Sequence, residues 1–271
     1  MDVAKDALRL LGQVTSSLIW AVVHFIWPPK KKDISGQLVL IVGDGDLSHQ
    51  MALLFSSRGA RVVTWGALTD QDSDGSDVQL VRVDDTCHVM RSTWSVPMAE
   101  KAVKKVMEEL GQVDLLITNR IPKDKLTLLE ADPDSIKQTF EDNFFVPLWV
   151  MKYFGAKMLQ QKHGHLVTIA TSEHVSDVSS HMTRCSTAAA WVGLADTLGS
   201  EVFFCEEWGI YNTYAVIERS DNQKGASERI VKAVLTNQKQ VFIPRSLYWL
   251  AFLKTLVPLD AMQLIYRWRQ K

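Results

Sequence analysis

The chain has 271 residues, 46% of them hydrophobic and 23% charged, with a formal net charge of -1. These are the statistics of one large globular domain rather than two, and they exclude the global basic field that nucleic-acid binding needs. Three cysteines, Cys87, Cys185 and Cys205, are too few and too irregularly spaced for a disulfide framework or a zinc cluster, and they fit a reducing compartment.

In chain order, Leu10 to Trp27 carries no Asp, Glu, Lys or Arg and stops at Pro28-Pro29-Lys30-Lys31-Lys32. Its length approaches the ~20 residues that cross a bilayer. Gln13, Ser17 and His24 recur at helical spacing, which fits a helix lying in the interface equally well. Either geometry anchors, so residues 1–32 read as a membrane anchor whose lysines stay on the cytoplasmic side. A cleaved signal peptide fits poorly, because Asp2 and Asp6 cancel Lys5 and Arg9 and no small-residue cleavage site follows. A buried core helix is the remaining alternative.

Residues 33–245 alternate short apolar runs with helical ones. "QLVLIV" (Gln37 to Val42), "RVVTW" (Arg61 to Trp65), "VQLVRV" (Val78 to Val83), "VDLLIT" (Val113 to Thr118), "HLVTIA" (His165 to Ala170) and "YNTYAVI" (Tyr211 to Ile217) read as strands. Helices are predicted after the first strand, over Ala99 to Leu110, over Ser135 to Gln161 and over Ser186 to Glu206. This order predicts an α/β, doubly wound, mostly parallel sheet with helices on both faces. One connection stands out: Gly66 to Asp77, "GALTDQDSDGSD", has no apolar stripe, although a parallel crossover normally contains a helix. It reads as a loop. The tail, 246–271, gives two apolar helical pieces broken at Pro258, and its Trp, Tyr, Lys and Arg content fits a membrane-surface contact as well as it fits a cap on the sheet edge.

In such a sheet, ligands sit at the carboxyl ends of the strands. "HGHLVTIAT" (His163 to Thr171), "VDLLITN" (Val113 to Asn119) and "AVLTNQKQVFIPRS" (Ala233 to Ser246) resemble the short-chain dehydrogenase/reductase family over roughly Gln37 to Ile243. The apolar N-terminus and its basic stop resemble that family's membrane-anchored retinol and hydroxysteroid dehydrogenase branch. The resemblance implies a Rossmann-like fold and NAD(P) chemistry. It also implies a place at the endoplasmic reticulum or lipid droplets, and a dimer through Ser135 to Gln161 and Ser186 to Glu206.

The family's motifs are present in altered form. Its phosphate loop, T-G-x-x-x-G-x-G, becomes "VGDGDLSHQ", Val42 to Gln50. Gly43 matches the first glycine, the turn is one residue shorter, the middle glycine is missing and Ser48 replaces the last. Asp44 and Asp46 add two carboxylates. One of these ~5 Å from a phosphate charge costs about 3 kcal/mol at an effective dielectric of 20. Asp46 reads instead as the N-cap of the next helix. The second strand leads from Trp65 to Gly66, with neither the acid of an NAD site nor the bases of an NADP site. Asp84 matches the adenine-side acid, and N-N-A-G becomes Thr118-Asn119-Arg120-Ile121. The Pro-Gly beside the nicotinamide becomes Ile217-Glu218, and "ERSDNQKGASER" leaves little chain for a substrate lid. The candidate cofactor-binding residues are therefore Gly43, Gly45, Ser48, Asp84 and Asn119.

The family tetrad is Asn, Ser, Tyr and Lys, with Tyr as the proton donor and Lys lowering its pKa. Asn143 matches the first, and Thr171 keeps a hydroxyl at the second. The family spacing then falls on Arg184 for the tyrosine and Ala188 for the lysine. An arginine stays protonated and cannot give and retake a proton. Arg184 can pair with a nearby acid and close the cleft, or recognise an anion. Glu173, His174, Asp177 and His181 form a cluster whose spacing fits no metal motif, so no metal site is predicted. The resulting expectation is a membrane-bound dehydrogenase-fold protein that has lost hydride transfer and holds no cofactor tightly, NAD(P) if any. It acts by binding a lipid surface or by pairing with a relative. The alternative is an oxidoreductase in which Arg184 polarises a carbonyl while Thr171 and Asn143 assist, and a third reading puts chemistry at His174 and His181.

Overall fold

The computed structural model describes residues 11–12, 15–16, 19, 29–43, 45–67, 78–82, 87–92, 95–119, 127–173, 182–205, 208–218, 222–258, 260–262 and 264. The chain separates into two compact units, Met1–Asp33 and Ile34–Lys271. In the first, Leu11, Gly12, Thr15, Ser16 and Ile19 are helical, and the Thr15 hydroxyl donates to the Leu11 carbonyl at 2.9 Å. Most of the expected anchor lies outside the described residues. Among those described, no helix is long and apolar enough to cross a membrane.

The second unit is built on one sheet of β1 (Leu38–Val42), β2 (Arg61–Ala67), β3 (Val78–Arg82), β4 (Cys87–Ser92), β5 (Leu115–Thr118), β6 (Gly164–Thr171), β7 (Ile210–Ile217) and β8 (Gln240–Ile243). The strand order is β3-β4-β2-β1-β5-β6-β7-β8, with every neighbouring pair parallel except β3 and β4. The helices are α1 (Asp46–Ser56), α2 (Val96–Glu109), α3 (Pro133–Phe140), a π-helical turn (Glu141–Phe145), α4 (Val146–Gln161), α5 (Met182–Phe204), α6 (Gln223–Leu235) and α7 (Ser246–Leu256).

The strand period of two divides the core. Val39 and Ile41 of β1 join Met51 and Phe55 of α1 and Ile230 and Val234 of α6 on one face. Leu38, Leu40 and Val42 point the other way, into Val103 of α2, Phe154 of α4 and Trp191 of α5. Both faces being covered explains why β1 and β5 are near-continuous apolar runs.

Three expectations are corrected. Val78–Arg82 is not a parallel strand but the antiparallel edge of a hairpin with β4, "CHVMRS", which was not predicted. β4 is the parallel neighbour of β2. The missing crossover helix is thereby explained, because the chain reaches β4 through an antiparallel edge strand. Within "ERSDNQKGASER", α6 starts at Gln223, with the Asn222 side chain accepting from Gly225 N at 2.9 Å. β8 was also not predicted. The single helix expected over Ser135 to Gln161 starts at Pro133, where Asp132 caps it, and is broken by the π-turn.

At the sheet's far end, α7 packs Leu247 and Leu250 against Tyr214, Val216 and Phe242. Burial first, then the negative charge of Asp196, pushes the Tyr214 phenol up to about 12, above its ordinary 10.0. The unfolded chain therefore loses this proton first. The stability contribution is complete below pH 10 and is lost as pH rises towards 12. An ultraviolet titration should show one phenolate forming in this upper range, and Tyr214→Phe should remove it.

Candidate active site

β1 ends beside β5, and the loop after each meets at the carboxyl edge of the sheet. Gly43 N–H donates to the Trp65 carbonyl at 2.9 Å, and Asn119 N–H donates to the Val42 carbonyl at 2.8 Å. These bonds draw Gly43 so close to Asn119 that a Cβ on Gly43 would overlap the Asn119 carbonyl oxygen. With φ at +144°, glycine is required there on both counts. Gly45, at φ +94°, has open space where a Cβ would sit and is the N-cap of α1. Asp46 is therefore not the cap. It occupies the first turn, and the N-cap itself makes no side-chain capping bond. The reason is geometric: Gly45 has already taken the non-helical position, so Asp46 can act on the exposed N–H groups only through its charge.

Ser48 and Asn119 do not stand open towards a ligand. The Asn119 side-chain amide donates to the Ser48 hydroxyl at 2.8 Å, and both residues are buried. This bond joins the first turn of α1 to the loop after β5 across the place where the family's glycines let a pyrophosphate approach the backbone. The Asn119 Oδ1 is buried without a hydrogen-bond partner. Asp84, Asp44 and Arg120 lie outside the described residues, as do His174, Asp177 and His181.

On the catalytic side, Asn143 sits in the π-turn, a feature often found at functional sites. Its side chain donates to the Thr139 carbonyl at 2.8 Å, and its own carbonyl accepts from the Trp191 indole at 2.7 Å. The side-chain Nδ2 and the main-chain carbonyl of Asn143 are thus both committed within the protein. Thr171 ends β6 and is buried, and Ala188 lies buried on α5.

Arg184, two residues into α5, forms an ion pair with Glu173, which follows Thr171 by two residues. The pair is deeply enclosed, with Arg184 3% exposed and Glu173 7% exposed. Of the two roles open to Arg184, pairing with a neighbouring acid is the one realised. The Cys185 thiol leans on the Glu173 carbonyl at 3.6 Å. The Trp191 contact has no counterpart among the sequence expectations, whereas Glu173 is one of the acids open to Arg184. Trp191 lies three residues after Ala188, on the helical spacing that faces the π-turn. Glu173 had been grouped with the histidines. Among the described residues, no three His, Cys, Asp or Glu side chains gather as metal ligands.

Residues 37–206 match the short chain dehydrogenase family. The chain belongs to that family. As a short-chain dehydrogenase relative it is 26% identical to mouse epidermal retinol dehydrogenase 2, over 98% of this chain and 92% of that protein. It is 25% identical to human retinol dehydrogenase 10, over 94% and 89% of the two chains. With rat estradiol 17-beta-dehydrogenase 11 it shares 27% identity, over 95% and 92%. A short-chain dehydrogenase from Streptomyces avermitilis shares the fold, with a TM-score of 0.67 at 15% identity, covering 87% of this chain and 97% of that one. The retinol and steroid dehydrogenase-like branch implied by the sequence motifs is thus the branch the chain falls beside.

The residues now in place are a poor fit for the family's dinucleotide. Asp46 holds a carboxylate in the first turn of α1, Ser48 fills the last glycine position, and its bond to Asn119 bridges the gap.

Proposed function

We propose that this member of the short-chain dehydrogenase family no longer transfers hydride and acts by binding. The carrying observation is the buried Arg184–Glu173 pair at the position of the family's proton donor. An arginine held by a carboxylate neither donates nor recovers a proton. Loss of a positioned general acid costs about 10² to 10⁴ in rate, and Ala188 supplies no cation to lower the pKa of any substitute. The closed Ser48–Asn119 contact supports the same reading on the cofactor side, with no tight NAD(P) site. Purified full-length protein given retinol or a steroid alcohol with NAD or NADP is expected to show no turnover above the protein-free rate. Sustained, saturable turnover would overturn the reading.

The names of the curated relatives favour a second reading, an NAD(P)-dependent oxidoreductase of retinol, steroid or lipid alcohols with a rearranged site. In it, Arg184 polarises the carbonyl, with Thr171 and Asn143 assisting. It requires Arg184→Ala to lower a measured activity.

Two partners belong to the proposal. Residues 10–27 bind a membrane, at the endoplasmic reticulum or lipid droplets, with the main domain facing the cytoplasm. A second dehydrogenase-fold chain, identical or related, docks on the α4 and α5 face. Supporting this is an apolar groove of about 440 Å³ lined by Leu148, Trp149, Leu159, Leu194, Leu198 and Trp208.

A further inference from the structure

We infer that the outer face of α7 is a lipid-docking surface that rests on anionic headgroups. The helix has two faces of different fate. Leu247 and Leu250 point inward, and the Tyr248 ring rests on Phe242 with centroids 4.5 Å apart. The opposite stripe is Trp249, Phe252, Leu253 and Leu256, spaced as i, i+3, i+4 and i+7. Along it Trp249 is 71% exposed, Phe252 54% and Leu256 65%. Beyond Pro258, Leu264 is exposed as well. A run of large apolar side chains left in water in this way marks an interaction site.

Length and charge choose the occupant. α7 has 11 residues and spans roughly 16 Å, half of a ~30 Å hydrocarbon core, so it can lie on a bilayer but cannot cross one. The chain as a whole carries 30 basic and 31 acidic residues. From Arg245 to the end, however, Arg245, Lys254, Arg267, Arg269 and Lys271 face a single acid, Asp260. Trp249 and Phe252 on α7, with Lys254 on the same helix and further Arg and Lys residues in the sequence that follows, match the boundary between acyl chains and anionic headgroups. The proposal concerns a segment of the sequence other than residues 10–27 and holds whether or not the chain turns over a substrate.

The test replaces Phe252 with p-benzoylphenylalanine in the full-length chain, leaving Leu247 and Leu250 untouched. The protein is bound to vesicles of phosphatidylcholine alone or with phosphatidylserine, and then illuminated. The expected product is a lipid adduct, several-fold more abundant with phosphatidylserine. Adding Trp249→Glu and Leu256→Glu should cut that adduct about fivefold or more, even where residues 10–27 keep the chain on the vesicle. An adduct to a second copy of the chain, no adduct, or equal yields on both vesicles would overturn the assignment.

Discussion

Replacing Arg184 by alanine is expected to lower folding stability by about 3 to 5 kcal/mol, the cost of leaving one partner of a buried ion pair uncompensated. Glu173 is 7% exposed, and its Oε2 already lacks a hydrogen-bond partner, so nothing else described holds that charge once the guanidinium is gone. A cost of this size corresponds to roughly 10 °C in thermal midpoint for a domain of this length. The double change Arg184→Met with Glu173→Leu behaves differently. It removes both charges and fills similar volume, so its stability should return to within about 1 kcal/mol of the native chain or exceed it. Urea unfolding of the two variants separates the outcomes. A loss under about 1 kcal/mol for Arg184→Ala would mean that the pair does not seal the cleft.

Gly43→Ala is the other large effect, with an expected loss of roughly 4 kcal/mol. Part is backbone strain, since φ is +144° and a side chain there costs about 1 to 3 kcal/mol. The rest is collision with the Asn119 carbonyl, which belongs to the main chain and cannot rotate away; overpacking of this kind costs about 1 to 3 kcal/mol. Gly45→Ala is the internal comparison. Its φ of +94° carries strain but its Cβ meets nothing within 4 Å, so the expected loss is only about 1 to 2 kcal/mol. Equal losses at the two positions, read by urea unfolding, would contradict the close approach of β1 and β5. Gly43 is thus needed for the sheet's own geometry, and its presence alone is no sign of a bound pyrophosphate.

Much of this architecture is legible in the chain because both faces of the parallel strands are buried. "LVLIV" and "LLIT" are continuous apolar runs, and their neighbours Gly43 and Asn119 mark where they end. β4 has a weak signal because "CHVMRS" mixes His88 and Arg91 into the run, so neither a continuous apolar stretch nor a clean alternation marks it as a strand. The start of α6 has a weak signal because Gly225 and the polar residues around it favour turns, while its cap, Asn222, acts through a side-chain bond. In the site, the family spacing from Thr171 reached Arg184 and Ala188 directly, since α5 holds both within its first two turns. The Glu173 pairing was one of two options until the fold brought β6 and α5 together. The Asn143 to Trp191 contact had no sequence signal, because it runs through a backbone carbonyl turned outward by the π-turn.

If Ser48 with Asn119 and Arg184 with Glu173 close the cofactor cleft from within, as proposed, the protein binds no dinucleotide tightly. The most direct test is a titration of the full-length protein with NADH and NADPH, following the intrinsic fluorescence of its nine tryptophans, with a thermal midpoint at each concentration. No saturable change and no ligand-induced stabilisation are expected below about 1 mM cofactor. Saturation in the micromolar range, accompanied by a rising thermal midpoint, would contradict it.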